Sequence, residues 1–227
     1  MWNRLIEDQV MARKGALDVS IHQHIVDLRS DEVGIRSQLR RRALTEINGG
    51  LRNYDFFVVD QQNYTKEVGD RHFDLHKRIS GRLTRTKESF FLSYEWIKKG
   101  RAFFVEQKCE GRTVNMTLVL NSKKTAIGAS TAVDPEFQPP VPLMHSMMWR
   151  VMMECRERNI EFFEIGETNF RDTLYQVLTE KEKNIVYFKR GFGEHSWPLK
   201  RWVWFRNPQN ELEYLQQAVN NYTKCFE

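Results

Sequence analysis

Three strand-like runs follow one another so closely that they must lie side by side, and this limits what the chain can fold into. Residues 102–107 and 112–120 are rich in β-branched and aromatic side chains and flank Glu110-Gly111, the composition of a tight antiparallel turn. A third run, Thr125–Val133, continues the meander. Asp134-Pro135 and Pro139-Pro140 stop it, and Met144, Met147, Met148, Val151, Met152 and Cys155 then recur at helical spacing within 143–158. The sheet needs a cover and the helix has an apolar stripe to supply one.

The flanking segments extend this α+β pattern. Ser30, followed by Asp31 and Glu32, reads as the N-cap of a helix striped by Leu39, Ala43, Leu44 and Ile47 and stopped at Gly49-Gly50. Residues 54–59 read as a strand, 68–79 and 87–99 as helices, 161–168 as a strand, 169–180 as loop, 181–190 as a short helix and 211–226 as a terminal helix. Alternation along 161–168 places Glu164 and Glu167 on opposite faces.

At 227 residues and 41% hydrophobic content the chain can bury one sizeable core, and a single domain is expected. Cys109, Cys155 and Cys225 share no C-x-x-C spacing and leave an odd count, so neither a disulfide framework nor a zinc cluster is indicated. No apolar run approaches the roughly 20 residues of a membrane helix. The start of the chain mixes Glu7, Asp8 and Arg13 with Leu5 and Ile6. These features predict a soluble protein of the reducing cytoplasm. A formal charge of +5 favours anionic partners without choosing among phosphates, nucleotides, tRNA or acidic lipid.

The most specific wording lies at 187–193, Tyr-Phe-Lys-Arg-Gly-Phe-Gly, which holds a Phe-Lys-x-Gly-Phe-Gly box. Before it come Ile25-Val26-Asp27-Leu28, Leu75-His76 with Ser80-Gly81-Arg82-Leu83-Thr84-Arg85, Pro142-Leu143-Met144-His145-Ser146 and Glu164-Ile165-Gly166-Glu167. After it comes Trp202-Val203-Trp204-Phe205. In this order the boxes resemble the Fem-type (FemAB/FemX-like) peptidyltransferases, a branch of the GNAT N-acyltransferase fold. The resemblance covers about residues 25–205. It implies a GNAT-like mixed, largely antiparallel sheet flanked by helices, with an N-terminal helical extension (1–24), a transferase domain (25–206) and a C-terminal helix (207–227). Fem enzymes carry two GNAT-like domains and this chain has room for the second. A one-domain relative, a chain that pairs with itself or another subunit, and a fragment all remain open.

The resemblance further implies acyl or aminoacyl transfer to an amine of a cell-envelope precursor or amino sugar. Acyl-CoA, an acyl carrier or aminoacyl-tRNA would be the donor, and no metal is expected. The strands Thr125–Val133 and 161–168 would splay to hold the donor. Lys189 would stabilise the oxyanion, although a lysine at a helix C-terminus also suits the macrodipole. His145, in the first turn of the Met-rich helix, and Glu167 are candidate bases. His76, Arg82, Arg85 and Glu164 are candidate substrate-binding groups, the arginines as a phosphate or carboxylate clamp. Between residues 134 and 145 there are prolines and no glycine, so a backbone N–H cradle for a CoA pyrophosphate is not expected. Two other readings stand beside this one: a nucleic-acid-binding module using Arg40, Arg41, Arg42, Arg78, Arg82, Arg85 and Lys87, and a catalytically silent GNAT-like partner subunit.

Overall fold

The computed structural model describes residues 9–167, 178–193 and 196–223. The chain divides into two compact units, one of residues 25–166 with 191–193, the other assembled from 1–24, 167–190 and 194–227.

The strands are β1 (Leu17–Asp18), β2 (Ile21–Asp27), β3 (Asp55–Val59), β4 (Ala102–Cys109), β5 (Arg112–Ser122), β6 (Thr125–Val133), β7 (Phe162–Glu167), β8 (Ser196–Leu199) and β9 (Trp202–Val203). Seven of them follow the order β3-β4-β5-β6-β7-β2-β8. In the larger unit β3 to β6 are antiparallel neighbours, while β6 and β7 run parallel. The meander arises as its turns dictate, with Glu110 and Gly111 both at positive φ (49° and 79°) between β4 and β5. The fold class is the mixed, largely antiparallel α+β expected.

Strand alternation sorts the core of this unit into two layers. Phe104, Met116, Leu118 and Ala132 meet Phe73, Leu75, Phe90 and Tyr94 from α3 (Lys66–Ser80) and α4 (Lys87–Lys98). Gln107 and Asn115 point the other way, toward α5 (Leu143–Glu157), where Gln107 Nε2 donates to Ser146 Oγ at 3.2 Å. Asn115 Nδ2 donates to Gln107 Oε1 at 3.1 Å. The stripe of α5 is buried as expected at Met147, Met148, Val151, Met152 and Cys155, but Met144 is only partly covered. Burial spreads also to Leu143, Ser146, Trp149 and Glu154, because α2 (Arg41–Asn53) packs on α5 as well as the sheet.

The first helical segment differs from its sequence reading. It is two helices, α1 (Glu32–Ser37) and α2, and the cap of α1 is Asp31, whose carboxylate accepts from Gly34 N at 2.8 Å. Gly49 and Gly50 are buried inside α2 and do not end it. Their use is close approach: a Cβ on Gly50 would stand 2.1 Å from Ser146 Oγ. Propensity, which marks glycine as a stop, yields here to a helix crossing.

The smaller unit pairs the first half of β2 with β8, Ile21 opposite Leu199 and His24 opposite Ser196, and β1 with β9. Before Ile25 the described chain is helical only over 9–13, the rest being strand and turn; the helical extension expected over 1–24 is thus mostly not helix where described. Helix α6 (Glu180–Lys189) starts on a capping box in which Thr179 and Glu182 satisfy each other's backbone N–H groups. Helix α7 (Pro208–Thr223) starts three residues before its expected position. Most of the expected loop 169–180, and the expected helix end beyond Thr223, lie outside the described residues.

Candidate active site

Strand β6 carries a bulge. Leu118 of β5 faces Ser130 while Val119 faces Gly128, so Ala129 is the extra residue. The bulge coincides with the point where β6 parts from β7. Their register holds for Thr125 with Phe162, Ala126 with Phe163 and Ile127 with Glu164. Beyond these β6 continues to Val133 on β5 alone, so among the described pairings its other edge presents main-chain N–H and C=O groups to a gap. An extended ligand can take those groups as a strand would. Glu164, half-buried, stands at the last pair before the gap.

Beneath the bulge lies a histidine that the sequence reading passed over. His72 of α3 is fully buried. Its Nδ1 is 2.8 Å from the Tyr94 hydroxyl. Burial first, and His76 next, push its pKa down to about 3, so the ring is neutral. The signal available in sequence was the pair His72 and His76, spaced i, i+4 on a helix.

In an unfolded chain this ring titrates near 6.5. Below that pH the unfolded chain binds a proton that the folded chain does not, so stability falls as pH drops from 6.5 toward 3. At pH 4 the difference amounts to about 3 kcal/mol. Urea denaturation of the parent and of His72→Phe between pH 7 and pH 4 reads this directly. The parent should show the steeper loss, and parallel slopes would refute a buried neutral His72.

His76 is half-buried, its ring 4.9 Å from Phe90; burial first and then the Arg85 charge lower its pKa. The Arg85 guanidinium sits over the same Phe90 ring at 4.4 Å. The structure thus brings His76 and Arg85 together around one aromatic side chain. Arg82 is exposed, and its main-chain oxygen accepts from Ser80 Oγ at 2.6 Å.

His145 stands in the first turn of α5 with Nδ1 2.5 Å from Glu46 Oε2 of α2, and its ring stacks on Phe192 at 5.7 Å. Burial lowers its pKa, against the opposing pull of Glu46. A carboxylate beside Nδ1 favours a proton on that nitrogen, which leaves Nε2 as the ring's acceptor. Phe192 is buried and Gly193 takes φ +115°, reserved in practice for glycine.

In the smaller unit Lys189 Nζ donates to the main-chain oxygen of Glu167 at 2.5 Å. The Glu167 carboxylate is paired with Arg201, a residue sequence reasoning did not select. Lys189, Glu167 and Arg201 therefore meet where β7 ends and α6 ends. Among the described residues no group of three or more His, Cys, Asp or Glu is placed to hold a metal ion, and no helix is long and apolar enough to cross a membrane.

Known structures share this mixed, largely antiparallel fold. The C-terminal domain (DUF2156) of a putative lysylphosphatidylglycerol synthetase from Agrobacterium fabrum is similar over 92% of this chain and 67% of its own, with TM-score 0.66 and 18% identity. L-PGS from Bacillus licheniformis is similar over 93% of this chain and 69% of its own, with TM-score 0.64 and 14% identity. FemX matches 85% of this chain and 64% of its own, with TM-score 0.64 and 13% identity. The Fem-type resemblance read from the motifs therefore holds in the fold. No protein-family model matches the chain, and no curated protein matches it in sequence.

Proposed function

We propose that the protein is an acyltransferase of the N-acyl or aminoacyl type, acting in the cytoplasm on an amine of a cell-envelope precursor or amino sugar. The observation that carries this reading is the parting of β6 from β7 after three residue pairs, at a bulge, in a fold shared with FemX. A donor acyl chain held along the free edge of β6 offers its carbonyl to an amine without any covalent enzyme intermediate. The amine nitrogen attacks the carbonyl carbon and the C–N bond forms. The ester or thioester bond then breaks toward the donor's oxygen or sulfur, and the amine's proton passes to a base, His145 or Glu167. Lys189 is proposed to oppose the oxyanion charge, with Glu164, His76, Arg82 and Arg85 binding substrate. The nucleic-acid alternative loses support because Arg78 is held by the buried Asp134.

The loop into α5 contains Pro135, Pro139, Pro140 and Pro142 and no glycine, so CoA lacks a backbone cradle. Calorimetry with CoA should give a Kd of about a millimolar or no binding. Transfer is tested with acetyl-CoA, acyl carrier protein thioesters and aminoacyl-tRNA, each offered with amine-bearing envelope precursors and read by product mass. A new amide from one of these donors is expected. Intact donors throughout would overturn the proposal, and tight CoA binding would redirect it to a CoA-dependent enzyme.

A further inference from the structure

The α3 side of the sheet holds a cavity of about 590 Å³ at the foot of β6, within the size range of small-molecule sites. Two buried carboxylates, of which Asp134 lines the cavity, hold the arginines on its wall. Asp134, which directly follows β6, is 2% exposed at its side chain and receives Arg112 Nη2 at 2.5 Å and Arg78 Nη1 at 3.3 Å. Glu106 of β4, 3% exposed at its side chain, receives Arg71 Nε at 3.0 Å and Lys108 Nζ at 3.6 Å, and accepts from the Thr113 hydroxyl. Each buried acid is thereby neutralised and fixes at least one guanidinium in place.

A guanidinium has five N–H donors. Arg112 uses its Nε and Nη2 on Asp134, Arg78 uses one nitrogen on Asp134, and Arg71 Nε lies 3.0 Å from Glu106 Oε1. All three residues line the cavity with side chains 39% to 51% exposed, and Arg78 and Arg112 each also lie 3.8 Å from the Glu136 carboxylate. An acid group entering there meets donors already ordered by the protein, which lowers the entropic cost of binding.

The opposite sign lies on the cavity wall made by α3. Glu67, Asp70 and Asp74 line the same cavity and are spaced i, i+3, i+7, which puts them on one helix face over roughly 10 Å. Asp70 has Lys87 at 3.9 Å, a distance of weak pairing. A purely structural ion-pair network would bring these acids onto the arginines. Here the arginines are held by Asp134 and Glu106, and among the described residues no ion pair joins Glu67, Asp70 or Asp74 to them.

We propose that this cavity binds an amino acid, free or as the end of a short peptide, with its carboxylate on Arg71, Arg78 and Arg112 and its ammonium on Glu67, Asp70 and Asp74. Its role as the acceptor pocket rests on the transferase reading; the binding itself does not.

The test is calorimetric titration of the full chain, without any donor, using each common amino acid and then alanyl-alanine. Saturable binding of at least one zwitterion is expected below about 10 mM. The amide and the N-acetyl form of the best ligand, each lacking one charge, should bind at least about tenfold more weakly. Free amino acids outcompeting the dipeptide identify a small-molecule site, and the reverse identifies a peptide terminus. Asp74→Asn, an exposed substitution, should raise Kd by about tenfold with unchanged Tm. Arg78→Gln, which leaves Arg112 on Asp134, should do the same. No saturable binding, equal binding of a singly charged analogue, or an unaffected Asp74→Asn would each overturn the proposal. Amino-acid binding without transfer from any donor would sink the transferase reading alone. Transfer to amines that ignores both substitutions would sink the acceptor-pocket role alone.

Discussion

Replacing Val151 with aspartate is expected to leave the larger unit unfolded at room temperature. Val151 is 0% exposed on α5, a helix packed on α2 and on β4 and β5. An isolated buried carboxylate costs several kcal/mol even after its pKa adjusts. A domain of this size has only about 5–15 kcal/mol to lose. Val151→Ala separates charge from volume, since it removes methyl groups without adding a polar atom and should cost about 1–3 kcal/mol. Circular dichroism with urea titration distinguishes the two. A Val151→Asp protein that melts cooperatively at the parent temperature would mean that this face of α5 is open to water.

On the transferase proposal, Lys189→Met lowers turnover by about a hundredfold or more, the scale of losing one preorganised charge at an oxyanion. The bond from Lys189 Nζ to the Glu167 main-chain oxygen supplies a competing structural role, a tie between α6 and the end of β7. Lys189→Arg retains a donor and a charge, so a purely structural tie predicts that it rescues Tm and turnover together. An oxyanion contact predicts that Lys189→Met loses kcat at unchanged Tm and unchanged donor affinity, whereas Arg82→Ala raises KM, as loss of ground-state binding does. Steady-state kinetics decides once a donor and acceptor pair is in hand. Unchanged kcat in Lys189→Met would remove the residue from the mechanism.

The meander was legible almost to the residue, because alternation and turn glycines are local and the structure adds only a residue or two at the ends of β4 and β5. The break between α1 and α2 was not. Nor was the run of α2 through Gly49-Gly50, which depends on Gly50 facing Ser146, a contact between residues almost a hundred positions apart. The same limit applies to the site. His145 was chosen from its place in a helix, yet its orienting partner Glu46 belongs to another helix. Arg201 could not be linked to Glu167 without the strand pairings around it. Glu67, Asp70 and Asp74 were readable as one helical face, but they gain interest only when Arg112 and Asp134 arrive from the sheet.

The strand order has a consequence for how the protein is made. Ile21 finds its partner in Leu199, so at translation speeds of about 5–20 residues per second β2 leaves the ribosome roughly ten to thirty seconds before β8 exists. Meanwhile β4, β5 and β6 can zip as consecutive hairpins with little loop entropy to overcome. The nascent chain therefore passes through a stage in which the central meander is closed while β2 still offers both edges to any other extended segment. Chaperone holding, or a pause timed to the emergence of β7 and β8, would protect this interval more than any change to the finished core.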